Sequence, residues 1–184
     1  MKIDESEAQA KFDIIIFGAS SFTGKLVLEY FFKKYGKDPQ LKWGIAGRNH
    51  KKLTQVLAEI IEASPSKKYT DIPIIVADCN DVVSLNELTR QTKVILTTVG
   101  PYAKYGSLLV ESCVENGTDY CDLAGETQWI RKMIDTHQVR AEQTGARIVH
   151  ACGFDSIPSD MGVFFMQEEA RKKYQKPLKE IKLF

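Results

Sequence analysis

The sequence predicts an α/β fold built on a doubly wound, mostly parallel sheet. Two observations carry this expectation: apolar runs of strand length alternate with stretches of helical period along nearly the whole chain, and several of those runs are continuously apolar. Ile14-Ile15-Ile16-Phe17 and Ile74-Ile75-Val76-Ala77 have no polar face to turn toward water, so they need cover on both sides, as in a parallel sheet between two helical layers. The 184 residues give room for one such domain and a short extension.

Strands are expected at 13–17, 42–46, 72–77, 93–99, 118–121 and 147–150, with helices between them. The first strand leads through small residues into a helix that runs to about Lys34. A helix is expected around 82–90, with Asp78 a suitable cap before it. Residues 106–116 place Leu109, Val110, Cys113 and Val114 on one stripe, and Asn116-Gly117 stops them. Residues 127–144 place Ile130, Met133, Ile134, His137 and Ala141 on another, closed by Gly145. A last helix is expected at about 161–174. Ser64-Pro65-Ser66-Lys67-Lys68 reads as a polar loop, and 179–184 alternates polar and apolar residues like a strand with one buried face. Short connections between such elements leave right-handed crossovers as the available topology.

Composition excludes several function classes. Lys and Arg number 25 against 24 Asp and Glu, a net charge of +1, so no global field draws in nucleic acid or anionic lipid. Cys79, Cys113, Cys121 and Cys152 form no Cys-x-x-Cys pair and no cluster with His, which argues against a zinc site and a disulfide framework. The opening Met1-Lys2-Ile3-Asp4-Glu5 is acidic where a secretory signal is basic, and no run approaches the ~18 apolar residues of a membrane span. A reducing, cytoplasmic setting is the expectation.

The first turn carries the chemistry. In Gly18-Ala19-Ser20-Ser21-Phe22-Thr23-Gly24 a glycine is wanted at 18 for the tight turn and at 24 for close helix-to-strand packing. The helix start offers backbone N–H groups and a positive dipole end to a pyrophosphate, as in a Rossmann-type domain. The second strand ends in Ala46-Gly47-Arg48-Asn49, without the carboxylate that would bind an NAD ribose. Arg48, with Lys51 or Lys52, can fork onto a 2′-phosphate instead, which points to NADP(H); the same cations would also suit a solvated helix start. Asp78-Cys79 ends the third strand, where Asp78 could accept from an adenine amino group. Val99-Gly100-Pro101-Tyr102 ends the fourth, where Gly100 permits close approach near a nicotinamide ribose and Pro101 stiffens the loop.

These segments, with Tyr120-Cys-Asp-Leu-Ala-Gly-Glu126 and Gly153-Phe-Asp-Ser-Ile-Pro-Ser-Asp160, occur in an order that resembles the saccharopine dehydrogenase-like oxidoreductases, a family that includes trans-acting enoyl reductases. The likeness runs from about residue 12 to about residue 162. It implies a tail at 1–11, an NADP-binding domain at 12–162, and a segment at 163–184 leading into a second, missing domain that shapes the substrate site and often dimerises. The chain then reads as the cofactor half of an oxidoreductase, inactive alone. Family members also imply lipid-linked substrates and peripheral contact with lipid droplets or other membranes. The sequence departs from the family at Ser21, where Gly is usual and where backbone approaches the pyrophosphate.

No proton donor stands out. Asp155 and Ser156 could reach the crevice or could belong to an ordinary helix start. Asp122, Glu126, His137 and His150 fit packing and loop hydrogen bonds better than acid–base work. Tyr-x-x-x-Lys occurs only at Tyr30 to Lys34, inside the first helix and away from strand ends. A non-catalytic NADP(H)-binding sensor or scaffold, similar to NmrA, is therefore the alternative to an enzyme.

Overall fold

The computed structural model describes residues 10–36, 38–64 and 72–182. In them β1 (Phe12–Phe17), α1 (Phe22–Tyr35), β2 (Trp43–Gly47), α2 (His50–Ala63), β3 (Ile74–Val76), α3 (Val82–Thr89) and β4 (Thr92–Thr97) follow in turn. Then come a single turn α4 (Tyr102–Tyr105), α5 (Ser107–Asn116), β5 (Asp119–Cys121), α6 (Thr127–Thr144), β6 (Ile148–Val149) and α7 (Ile157–Tyr174). The strands pair in parallel in the order β3-β2-β1-β4-β5-β6, so the chain winds outward from β1 in both directions.

The continuous apolar runs are explained by two cores, one on each face of the sheet. Ile16 and Ile45 pack against Leu28 and Phe31 of α1 and Leu53 and Val56 of α2. Ile15 and Ile95 meet Leu85 and Leu88 of α3, Val110 and Val114 of α5, and Trp129 and Met133 of α6. Each fully buried Ile or Leu is stabilised by about 1.5–3 kcal/mol relative to exposure. Caps set the helix limits: Ser21 accepts from Gly24 N–H at 3.0 Å, Asn49 from Lys52 N–H at 3.0 Å, and Asp81 from Val83 N–H at 3.0 Å. Gly117 and Gly145, at φ 67° and 80°, end α5 and α6 in the left-handed conformation that a side chain resists.

Four expectations need correction. Asp81, and not Asp78, caps α3; Asp78 is held in a turn, its Oδ1 accepting from Asn80 N–H at 2.9 Å and its own N–H donating to Ser84 at 3.1 Å. Ile134 is exposed rather than part of the buried stripe, lining an open groove with Met133 and Ile148 beside the two-residue edge strand β6. β3 and β4 stop at Val76 and Thr97, where the chain leaves the sheet. Residues 179–182 form no strand: the Gln167 side chain takes both Leu178 backbone groups, at 2.9 and 3.1 Å, and turns the chain back along α7. Leu183 and Phe184, most of the tail at 1–11, and the loop at 65–68 lie outside the described residues. The expected boundary at residue 162 falls inside α7, a helix that buries only Ala170.

Candidate functional site

Beyond the carboxyl ends of the central strands lies a crevice of about 380 Å³. Gly18 forms its floor at φ 90°, a conformation that favours glycine, and a Cβ there would also come within 2.6 Å of Val99 Cγ2. Gly24 lies behind it, where a Cβ would press on the Gly18 carbonyl and stand 2.9 Å from Ala19 Cα; its absence lets α1 start close against the β1 turn. The Ser21 cap satisfies the Gly24 N–H, leaving the N–H groups of Phe22 and Thr23 at the open end of α1 without an intrahelical acceptor.

Most of the expected residues meet here. Gly18, Ser20 and Ser21 line the crevice with Arg48 and Asn49 at the β2 exit, Cys79 beyond β3, and Val99 and Gly100 beyond β4. Ser21 has φ −77°, which any residue accepts, and its hydroxyl lies 3.2 Å from Thr98 Oγ1. Others point elsewhere. Phe22 projects into solvent, and Asp78 and Pro101 do not line the crevice. Tyr102 is buried, its hydroxyl donating to the Thr97 carbonyl at 3.3 Å, and burial pushes its phenol up to about 12.

Thr98, Lys52 and Tyr105 also line the crevice. Thr98 stitches the β4 exit to the glycine turn, donating to the Gly18 carbonyl at 3.3 Å. Its place next to Val99 was a signal for it; Tyr105, three residues past Tyr102, carried only the spacing of a helical turn. Burial pushes the Cys79 thiol up, Asp78 adds to this and Arg48 opposes it, so Cys79 is a neutral wall rather than a thiolate.

Beside the crevice, Asp122 joins the exits of β5 and β6. Its buried carboxylate accepts from Tyr120 Oη at 2.8 Å, His150 Nδ1 at 2.7 Å, and the N–H groups of Ala124 and Ala151 at 3.0 Å each. Glu126 accepts from Tyr102 N–H at 2.6 Å and Ala103 N–H at 2.8 Å. Both carboxylates are thus engaged in holding loops. Asp155 and Ser156 stand outside the crevice, and Tyr30 and Lys34 hydrogen-bond to each other on the exposed side of α1.

A parallel sheet with this strand order, and a glycine turn where it reverses, defines a Rossmann-type dinucleotide-binding domain. Residues 14–149 match the model of the saccharopine dehydrogenase NADP binding domain, and the chain belongs to that family. It is 41% identical over 159 residues to a lipid droplet localized protein of Caenorhabditis elegans, covering 86% of this chain and 37% of the relative. It is also 41% identical over 165 residues to a trans-acting enoyl reductase of Mycobacterium ulcerans, covering 90% and 38%. The chain therefore spans little more than a third of the length of these relatives. The same fold occurs in apo saccharopine dehydrogenase (L-Glu forming) from Saccharomyces cerevisiae, with a TM-score of 0.65 at 17% identity over 87% of this chain and 32% of that one. Among the described residues no helix is long and apolar enough to cross a membrane.

Proposed function

We propose that this chain is the NADP(H)-binding half of an oxidoreductase, and that its crevice selects NADP(H) over NAD(H). The observation that carries the reading is the pairing, in one crevice, of the Gly18 turn with Arg48 at the β2 exit and Lys52 in the first turn of α2, with no carboxylate among the described residues that line it. The residues fit the cofactor: the missing Cβ at Gly18 leaves room against Val99, and the two cations supply the complementary charge. Phe22 and Thr23 N–H groups, with Ser20, would hold the pyrophosphate, and Ser21 would line the turn beneath it as the helix cap. Arg48, Lys52 and Asn49 would hold the phosphorylated ribose, Ala77 and Cys79 the adenine wall, and Val99 and Gly100 the nicotinamide ribose. The bound nicotinamide would supply the hydride.

The names of two relatives, a trans-acting enoyl reductase and a lipid droplet localized protein, support an acceptor with a carbon–carbon double bond and a place of work at lipid droplets; a lipid-linked substrate bound through a second domain, a cytoplasmic setting and pairing as a homodimer are part of the same proposal. Calorimetric titration of the chain with NADPH and NADH tests the cofactor reading. NADPH should bind more tightly, and Arg48→Ala should cost about 1.5–3 kcal/mol of NADPH binding while sparing NADH. Equal wild-type affinities would refute it. Oxidation of NADPH by the full-length protein with an enoyl thioester distinguishes the enzyme from a non-catalytic sensor.

A further inference from the structure

A helix of one turn does not persist by propensity, yet α4 is held from several sides. Glu126, entering from the β5–α6 loop, binds the N–H groups of Tyr102 and Ala103. The Tyr102 ring is buried 5.6 Å from Trp129, and the Trp129 indole donates to Ser107 Oγ at 3.0 Å. Gly106 makes this fit possible, since a Cβ there would come within 2.7 Å of Trp129 Cζ2. With Tyr102 committed to the interior, the other tyrosine of the turn, Tyr105, stands half-buried in the crevice wall beside Val99 and Gly100.

Its position in the strand order gives this meaning. β2 and β4 flank β1 on opposite sides, so Arg48 and Tyr105 stand at opposite ends of one crevice with the Gly18 turn between them. A dinucleotide whose phosphates rest on the α1 turn and whose 2′-phosphate meets Arg48 must carry its other half over β4. We propose that Tyr105 is the binding residue for the nicotinamide half, packing its ring against the nicotinamide riboside, and that Glu126 is the positioning residue that keeps α4 in place for it. This rests on the cofactor reading above. It also explains why so much of the β5–α6 loop is spent on fixing a four-residue turn.

The test uses two ligands: NADPH, and 2′,5′-ADP, which keeps the phosphate read by Arg48 but lacks the nicotinamide half. Tyr105→Ala should weaken NADPH about three- to tenfold, the range for an aromatic contact, and leave 2′,5′-ADP unchanged. Tyr105→Phe should retain NADPH affinity, and Glu126→Ala should weaken NADPH selectively in the same way. Unchanged 2′,5′-ADP binding also reports that the fold is intact. If Tyr105→Ala loses both ligands, Tyr105→Leu, which keeps apolar bulk, decides: a selective NADPH loss supports the proposal and its absence overturns it. NADPH affinity unaffected in both variants likewise overturns it. A wild-type chain that binds neither ligand would fail the cofactor reading instead, a distinct outcome.

Discussion

Replacing Asp122 by Ala should destabilise the chain by about 3–5 kcal/mol, since it leaves several buried donors without an acceptor, at about 1–3 kcal/mol for each that stays unsatisfied. The Asp122 side chain is fully buried, and His150 is nearly so. A carboxylate only accepts, so Nδ1 carries the proton in the His150 bond. Four bonds to a charged acceptor at about 1.5–3 kcal/mol each would overshoot. The Ala151 end is half-exposed, and water entering there would satisfy part of what is lost. Asp122→Asn should cost less, about 1–2 kcal/mol, because Oδ1 still serves the two backbone N–H groups while Tyr120 and His150 can turn their protons to accept from the new amide. Burial raises the Asp122 pKa, but the bonds from His150 and Ala124 outweigh it and hold the group below the ordinary value of 3.8. The native carboxylate therefore contributes stability that is complete above the unfolded pKa and is lost as the pH falls through the lower, folded one. Urea unfolding of the three proteins, at neutral pH and then through pH 4 and below, gives the measurement. A loss under about 1 kcal/mol for Asp122→Ala, set against the expected range, or a gap between wild type and Asn that does not narrow in acid, would refute the reasoning.

Ser21→Ala should lower stability by about 1 kcal/mol through loss of the α1 cap, and Ser21→Gly by only a few tenths; no loss for Ser21→Ala in thermal unfolding would show that the hydroxyl is not the cap. Because Ser21 is unstrained and its hydroxyl is turned to Gly24 and Thr98, Ser21→Gly should not tighten NADPH binding. Phe164 and Phe165 of α7 are 60% and 61% exposed amid Met161, Val163 and Met166, an apolar surface that favours association. Sedimentation should show concentration-dependent self-association of the chain that is abolished in Phe164→Ser/Phe165→Ser, and a monodisperse wild-type monomer would contradict this.

The parts of the site legible in the sequence are those whose geometry is set within a few residues. Ile14 to Phe17 could only be a strand covered twice, and the Gly18 turn needs a positive φ whatever surrounds it. Arg48 follows from its place at the end of β2, since a strand end in such a fold opens into the crevice. Gly117 and Gly145 stop their helices by the same local steric rule.

Where two residues of one kind competed for a role, sequence was silent and packing chose. Asp78 and Asp81 are both able caps, and the contact of Ser84 with the Asp78 N–H goes with Asp81 taking the cap. Tyr102 and Tyr105 are one turn apart, and Glu126 and Trp129, more than twenty residues later, turn the first inward and leave the second in the crevice. The alternation at 179–182 describes a strand that would need an edge to pair with, and Gln167 had already taken the backbone of Leu178. A hydrogen bond or steric limit inside one turn acts in any environment, so it can be read from neighbouring letters. A choice between distant partners depends on which surfaces the folded chain brings together, and that is settled in three dimensions.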